Sequence, residues 1–305
     1  VRLHARPHAL VFNFTNPSGL VTQALRSAGF DNVIGICDGP TETIHELETL
    51  VGAAPGTLEV ECFGLNHLSW YRSVRYRGQE LLPGLLYRPE LYRQTEMRFF
   101  RPELAQDLGM VLNGYLYYYY NREEAVANIL KGGRTRGETI AEINRRMTDE
   151  LRGLDLDRDY VQAVGVYLKY YSERNNSYMA IESGSSREPV HASLDLMDPS
   201  DDDGGYAGVA LGIIEAMQAD AERNAARRGP RRMVLSVPNR GAIDGLEDND
   251  VVEITCTLDR NGATPIRIGA VPDLQMALIR QVELFERLTV QAVDRRSRRL
   301  ARLAL

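Results

Sequence analysis

Residues 33–40 read VIGICDGP and residues 61–71 read ECFGLNHLSWY, and the way these two stretches end decides the fold. Each is a short apolar run that breaks at its carboxyl end into polar groups, VIGI into Cys37 and Asp38, CFGL into Asn66 and His67. Such runs, bounded by turn formers, predict buried strands. In open α/β sheets, ligands bind just beyond the carboxyl ends of the strands, so both polar groups are expected at one ligand-binding edge. A thiolate and an imidazole there are sulfur and nitrogen ligands for a divalent transition ion, and two protein ligands leave the open positions that a catalytic ion needs. The competing reading is packing. Free cysteine is among the most buried residue types, and no C-x-x-C or H-E-x-x-H spacing fixes a ligand geometry.

Working outward, residues 9–12, ALVF, predict another buried strand, followed by a helix across SGLVTQALRSAGF. With VIGI this makes a β-α-β unit of a parallel sheet. Pro17 stands near the helix start, where its fixed φ is tolerated. Asn13 and Asn16, in NFTNPSG, fall at the carboxyl edge of the first strand, close to where Cys37 and Asp38 emerge; turn capping accounts for them equally well. No G-x-G-x-x-G precedes this unit. Either the sheet is small or the chain lacks its front. Residues 41–53, TETIHELETLVGA, predict an amphipathic helix with its capping signal at Thr41 and Ile44, Leu47 and Leu50 on one face.

The second concentration of signal is MVLNGYLYYYYN, residues 110–121, with five tyrosines in the six positions from 115 to 120. Buried tyrosine hydroxyls need partners, so these cannot all be core. Helical spacing puts Tyr115, Tyr118 and Tyr119 on one side. A tyrosine beside a cation works as a base, because positive charge stabilises the phenolate; an aromatic packing stripe is the alternative. In KGGRTRGETIAEINRRM the glycine pair ends one helix and Thr135 caps the next. That leaves Arg134 and Arg136 at the junction, as an anion seat or as surface charge.

Residues 151–203 show no clear pattern and end in an acidic loop carrying Asp198, Asp201, Asp202 and Asp203. It lacks the EF-hand spacing and reads as a solvated turn. GYAGVALGIIEAMQAD predicts a buried helix with Val209, Ile213 and Met217 inward, and VVEITCTL and PIRIGAV predict strands joined by a hairpin turn over 259–262. Helices follow from Pro272. RRGPRR at 227–232 reads as a charged loop and RRSRRLAR near the end as a solvated helix face.

At 305 residues and 44% hydrophobic content the chain can bury a sizeable core and has room for two domains. A net charge of −6 with dispersed basic residues argues against a nucleic-acid surface. No run of eighteen apolar residues and no signal peptide is visible, so no membrane partner is expected. Three cysteines without a disulfide framework fit a reducing compartment, and the expected location is cytoplasmic.

Taken in order, NFTNPSGLVTQAL, VIGICDGP, FGLNHLSW, NGYLYYYY, RTRGE, VPNRGAIDGL with VVEITC, and VPDLQMALIRQVELFERLTVQA together resemble glycoside hydrolase family 4 over nearly the whole chain. The resemblance implies an α/β fold: the C-terminal part of a lactate-dehydrogenase-like Rossmann domain over residues 1–40, then an α+β substrate domain over 41–305. It implies an NAD- and manganese-dependent hydrolase of 6-phospho-glucosides, outside the two-carboxylate glycosidase scheme. In that chemistry the sugar is oxidised at C3, loses its C2 proton, eliminates the aglycone, adds water and recovers the hydride. Carried over residue by residue, Cys37 and His67 match the metal ligands, Tyr115 the base at C2, and Asp38 the acid for the leaving oxygen. Asn16 matches an amide at the substrate and nicotinamide, Asn66 a substrate contact, and Arg136 the grip on the 6-phosphate. The implied partner is a phosphorylated disaccharide or aryl glucoside, and the implied assembly a homodimer or homotetramer.

The family's Gly-rich nucleotide loop, first strands and acidic ribose contact are absent, and the chain stops before the family's final helical stretch. Truncation at both ends is therefore expected, with loss of activity in the isolated chain. Cys37-Asp38-Gly39-Pro40 resembles the 6-phospho-α-glucosidases, whereas GLNHL and TRGE resemble the 6-phospho-β-glucosidases; the reading taken is β. The alternatives are the α enzyme, a lactate or malate dehydrogenase-like oxidoreductase, and an inactive truncated remnant. Cys37 and the tyrosine cluster speak against the dehydrogenase, whose histidine accepts a proton without a metal.

Overall fold

The computed structural model describes residues 4–6, 9–184, 205–218 and 231–305. The acidic loop with Asp198, Asp201, Asp202 and Asp203, and the first four residues of RRGPRR, lie outside them. The chain forms two compact units, one of residues 1–116 with 203–305 and one of residues 117–202.

In the first unit the expected β-α-β element forms. Strand β1 (Val11–Asn13) runs parallel to β2 (Val33–Gly35), with Val11 opposite Val33 and Asn13 opposite Gly35, and helix α1 (Ser18–Ser27) connects them. Helix α2 (Gly39–Val51) follows and buries Leu47 completely. It starts two residues earlier than its pattern predicts. Asp38, not Thr41, holds the N-cap position, and its side chain makes no capping bond.

A long hairpin comes next, β3 (Glu59–Leu65) and β4 (Leu68–Tyr76), with the short strands β5 (Gln79–Glu80) and β6 (Val111–Leu112) along β4. Its core includes Phe63 and Trp70, both fully buried, with ring centroids 5.8 Å apart. β7 (Arg231–Pro238), β8 (Val251–Asp259) and β9 (Gly262–Pro265) complete the first sheet in the order β1-β2-β7-β8-β9, all antiparallel after β2. The hairpin predicted over 259–262 closes with Asp259 opposite Gly262, but its second strand is Gly262–Pro265, and PIRIGAV beyond Pro265 forms no strand. The two stretches that opened the sequence reading therefore end strands of different sheets, which corrects the single edge expected for them. What brings the sheets together is β3 on β8: the Cys62 N–H donates to Thr255 Oγ1 at 2.9 Å, and that hydroxyl donates to the Val60 carbonyl at 3.1 Å.

In the second unit, helices Arg136–Leu151 and Tyr160–Asn176 pack around a small core of Ile143, Val166 and Tyr170 with Met147, Leu151 and Leu154 against it, while helix Arg122–Gly132 packs on the short helix Ala180–Ser183. Thr135 caps its helix as predicted, in a reciprocal capping box with Glu138. Among the described residues, no helix is long and apolar enough to cross a membrane.

Gly35 shows how tightly the edge near Cys37 is built. A Cβ there would stand 2.6 Å from Thr22 Oγ1 on α1 and 2.7 Å from Ser236 Cβ on β7. Gly35→Ala must push α1 off the sheet, and overpacking of this kind costs about 1–3 kcal/mol. Urea denaturation is expected to show that loss, whereas Gly84→Ala, with nothing within 4 Å of the added carbon, should not.

Candidate active site

Cys37 lies two positions beyond the end of β2, after Ile36, and His67 occupies the two-residue turn between β3 and β4. Their Sγ and Nε2 atoms stand 3.6 Å apart. Two such ligands on one ion, with bonds of ~2.3 Å and ~2.0–2.1 Å as for zinc, are separated by roughly 3–3.5 Å. The pair thus fits a shared ion with little adjustment. Among the described residues no group of three or more His, Cys, Asp and Glu side chains that could hold a metal ion is found.

His67 is held in a demanding conformation, φ 65°, which for a residue with a Cβ costs of order 1–3 kcal/mol and persists only where the surroundings impose it. The turn itself relies on Gly64, φ 138°, since a Cβ there would lie 2.2 Å from the Leu68 carbonyl oxygen.

Burial disfavours protonation of His67, with Asp38 opposing, so its ring is neutral and ready to ligate near pH 7. Cys37 is pushed the other way. Burial, and after it the charge of Glu253, raise its thiol far above the usual range, against weaker help from the Gly39 N–H and the Asn66 amide. Ligation must therefore displace a proton from sulfur.

Tyr115 lies flat against the His67 ring, centroids 3.9 Å apart and planes 12° from parallel. It sits in a single 3₁₀ turn, Gly114–Leu116, because its N–H is donated to the Asn113 side chain at 3.0 Å. The helix through Tyr115, Tyr118 and Tyr119 is therefore not continuous: a separate turn covers Tyr117–Tyr120, in the second unit, with Tyr117 buried and Tyr118 and Tyr119 exposed.

One residue that the sequence reading did not single out ties these pieces together. Glu253, on β8, is 1% exposed. One of its oxygens accepts from Asn66 Nδ2 at 2.8 Å and the other from Ser69 Oγ at 2.9 Å, and the His67 N–H also donates to it. Ser69 Oγ in turn accepts from Asn113 Nδ2 at 3.3 Å, and Asn113 carries Tyr115. A glutamate inside the buried run VVEITC was the available signal, since an unpaired carboxylate is not left in such a strand.

The two asparagines of NFTNPSG separate in role. Asn13 is buried and structural, donating to the Ser18 carbonyl at 3.2 Å and to Thr22 Oγ1 at 3.1 Å. Asn16 is exposed in the loop beyond β1. Asn66 is spent on Glu253 and reaches the Cys37 sulfur. Arg136 belongs to the second unit, where it donates to the Ser177 carbonyl at 2.6 Å and lies 4.8 Å over the Tyr178 ring.

Burial raises the Glu253 carboxyl to about 7, and Glu286, also buried, to about 7. A carboxyl raised in the folded state contributes stability that is full below its unfolded pKa of ~4.3 and is lost as pH climbs through the folded value. Thermal unfolding is expected to show wild-type stability falling between pH ~4.5 and ~7 by up to roughly 1.4 kcal/mol per unit for each group. Glu253→Gln should make that fall shallower and Glu253→Gln with Glu286→Gln shallower still; unaltered slopes would show that neither group titrates in this window.

The sequence model of the family 4 glycosyl hydrolase C-terminal domain matches residues 62–305. The chain is 26% identical over 294 residues to the 6-phospho-beta-glucosidase of Escherichia coli, covering 92% of this chain and 56% of that protein. It is 25% identical over 297 residues to the maltose-6'-phosphate glucosidase of Bacillus subtilis, covering 94% and 58%. It thus spans little more than half the length of these relatives. Its fold is similar to that of the 6-phospho-beta glucosidase from Thermotoga maritima solved with manganese, NAD+ and glucose-6-phosphate, with a TM-score of 0.71 and 22% identity over 98% of this chain and 60% of that one. A 6-phospho-alpha-glucosidase from gut microorganisms, in complex with NAD and Mn2+, superposes with a TM-score of 0.62 and 22% identity over 98% and 62%. With four-fifths of its length matched to the family's own domain, this α/β chain belongs to the family 4 glycosyl hydrolases.

Proposed function

We propose that this chain serves the hydrolysis of 6-phospho-glucosides, with preference for the β anomer, residues 1–40 closing a dinucleotide-binding domain and residues 41–305 forming the substrate domain. The observation that carries the reading is the Cys37–His67 pair at 3.6 Å with Tyr115 stacked on the imidazole. The parallel β1–α1–β2 element, with the exposed Asn16 loop at its carboxyl edge, fits the nicotinamide end of a dinucleotide site. Cys37 and His67 would hold a manganese ion, which would supply Lewis-acid stabilisation of charge on the sugar oxygens, and the Asn16 loop would face a nicotinamide, which would supply a hydride acceptor for C3.

The side chains of this chain do the rest. Tyr115 takes the C2 proton, which the C3 ketone has made acidic; its phenol lies beside an ion ligand, and positive charge there favours the phenolate. Asp38 gives a proton to the glycosidic oxygen as the C1–O bond breaks and its electron pair leaves with that oxygen, while the pair from C2–H forms the C1–C2 double bond. Asn16 orients the sugar with its amide donor, and Asn66, whose NH2 group is committed to Glu253, offers the sugar its side-chain carbonyl oxygen. Arg136, with one N–H committed to Ser177, keeps further donors of its planar fork for the 6-phosphate. The β preference is supported by GLNHL and TRGE and by similarity to the E. coli 6-phospho-beta-glucosidase.

Two measurements test this. Manganese binding followed by calorimetry in buffers of different ionisation enthalpy is expected to release about one proton per ion near pH 7.5, from the Cys37 thiol, and to weaken at least about tenfold in Cys37→Ser; unchanged affinity would remove the assignment. In a full-length version of the protein supplied with NAD and manganese, nitrophenyl 6-phospho-β-glucoside should be turned over faster than its α anomer. Arg136→Ala should raise KM for it by about 10²-fold and leave unphosphorylated glucosides unaffected. Equal turnover of phosphorylated and plain glucosides by the wild type would refute the substrate class.

A further inference from the structure

Helix Asp273–Asp294 buries two glutamates, Glu283 and Glu286. Glu283 accepts from Arg287 at 2.7 Å, and Arg287 spends its other donors on Glu247 and Asp250. Glu286 is 7% exposed and has no hydrogen-bond or ion-pair partner among the described residues. A carboxyl so deeply buried is rarely kept without a donor. Its head lies on the first turn of α1. A Cβ on Gly19 would stand 3.1 Å from Glu286 Oε1 and 3.6 Å from Oε2, with the Asn66 Cβ 3.4 Å from the same point. Side chains leave a helix tilted toward its N-terminus, so the carboxyl faces the open end of α1, and the missing side chain of Gly19 is what lets it approach.

That end of α1 lacks what ordinarily closes a helix. Val21 is the first of its residues whose N–H bonds within it, to the Pro17 carbonyl at 3.0 Å, which leaves the N–H groups of Ser18, Gly19 and Leu20 ahead of it without an acceptor. The N-cap residue is Pro17, with no side-chain cap bond, and no acidic residue stands in the first turn. Ser18 and Gly19 are buried, so bulk water does not serve these donors as it does at an exposed helix end. A set of donors and a carboxyl thus face one another in one buried place, each lacking what the other has, with no direct bond between them among the described residues. A single water accepts from one side and donates to the other, and such a water needs two to four polar partners. Acidic groups are in any case favoured at this end of a helix by its dipole.

We propose that Glu286 is a positioning residue that closes the N-terminus of α1 from outside, through one bound water, and so fixes the Asn16 loop against the turn that carries Asn66 and His67. What the loop is fixed for rests on the reading of Asn16 given above; the cap itself does not. Helix Asp273–Asp294 packs on both α1 and β3, so Glu286 stands where the two elements meet. Asn66 has its own anchor in Glu253. Asn16, exposed and three residues ahead of Gly19, depends on the first turn of α1 for its place.

Glu286→Gln keeps an acceptor oxygen, whereas Glu286→Met keeps the bulk and removes it. A crystal structure of this chain is expected to show a water at about 2.7–3.2 Å from a Glu286 oxygen and from the backbone nitrogen of Ser18, Gly19 or Leu20, retained in Glu286→Gln and lost in Glu286→Met. A direct bond from carboxyl to amide, or no water between them, overturns the proposal. Amide hydrogen exchange supplies the second readout: Glu286→Met should speed exchange in the first turn of α1 by about tenfold, the scale of one hydrogen bond, with Glu286→Gln near wild type. Unchanged rates, or equal acceleration along the whole helix, overturn it too. In a full-length version supplied with NAD and manganese, Glu286→Met should lower kcat/KM for nitrophenyl 6-phospho-β-glucoside by about tenfold and leave manganese affinity unchanged. Parallel loss of both overturns the role given to the Asn16 loop. A full-length wild type that turns over no 6-phospho-glucoside overturns the reading of Asn16 and that role with it, while the water and the exchange rates decide the cap by themselves.

Discussion

A single buried carboxylate holds the site together. Glu253 faces inward from the middle of β8, where water cannot compensate it, so its oxygens must be satisfied by protein donors. The donors it finds are those whose placement matters for chemistry: the Asn66 side chain and the His67 N–H of the β3–β4 turn, and Ser69 at the start of β4. Through Ser69 and Asn113 the same network reaches the backbone of Tyr115. The His67 turn and Tyr115 are thereby referenced to one fixed point on a third strand. The left-handed His67 backbone is affordable because three donors around Glu253 over-determine the turn.

This explains why the two sheets must be coupled as they are. Cys37 is delivered by the parallel β1–β2 edge and His67 by an antiparallel hairpin, and nothing local to either stretch sets the distance between them. The distance is set by β3 lying on β8, stitched through Cys62, Thr255 and Val60. β8 belongs to the sheet that carries Cys37, while its Glu253 grips the turn that carries His67. A 3.6 Å separation between atoms thirty residues apart is thus a property of sheet packing.

That division also marks what the sequence could reveal. Strands ending in Cys37 and His67, the β-α-β element, the Thr135 cap and the β8–β9 hairpin were readable, because each depends on apolar runs and turn residues within about ten positions. The assembly of the first two at one sheet edge was misplaced, since periodicity does not state which sheet a strand joins. Tyr115 was read as one turn of a tyrosine helix, but a side-chain acceptor, Asn113, pulls it into a 3₁₀ turn of its own. Helix Tyr160–Asn176 went unread because its aromatic residues fall on exposed and buried sides alike: Tyr160, Tyr167 and Tyr171 are exposed while Tyr170 is buried. The capping signal was read at Thr41, and only the structure shows Asp38 in the N-cap position with no capping bond from its side chain.

The charge pattern around Cys37 follows from the same economy. Glu253 and Asp38 both act to keep the thiol protonated, and Glu253 is itself held near neutrality by burial. Three acidic groups gathered in a poorly solvated site repel one another, which costs stability above neutral pH without any return from packing. A divalent cation between Cys37 and His67 reverses each of those signs: the thiolate becomes a ligand, and the carboxylates that opposed its formation become favourable neighbours of positive charge. Burial raises the thiols of Cys62 and Cys256 in the same direction, so the shift alone does not set Cys37 apart from a packed cysteine; what sets it apart is the imidazole of His67 at 3.6 Å, the geometry on which the proposed cation site rests.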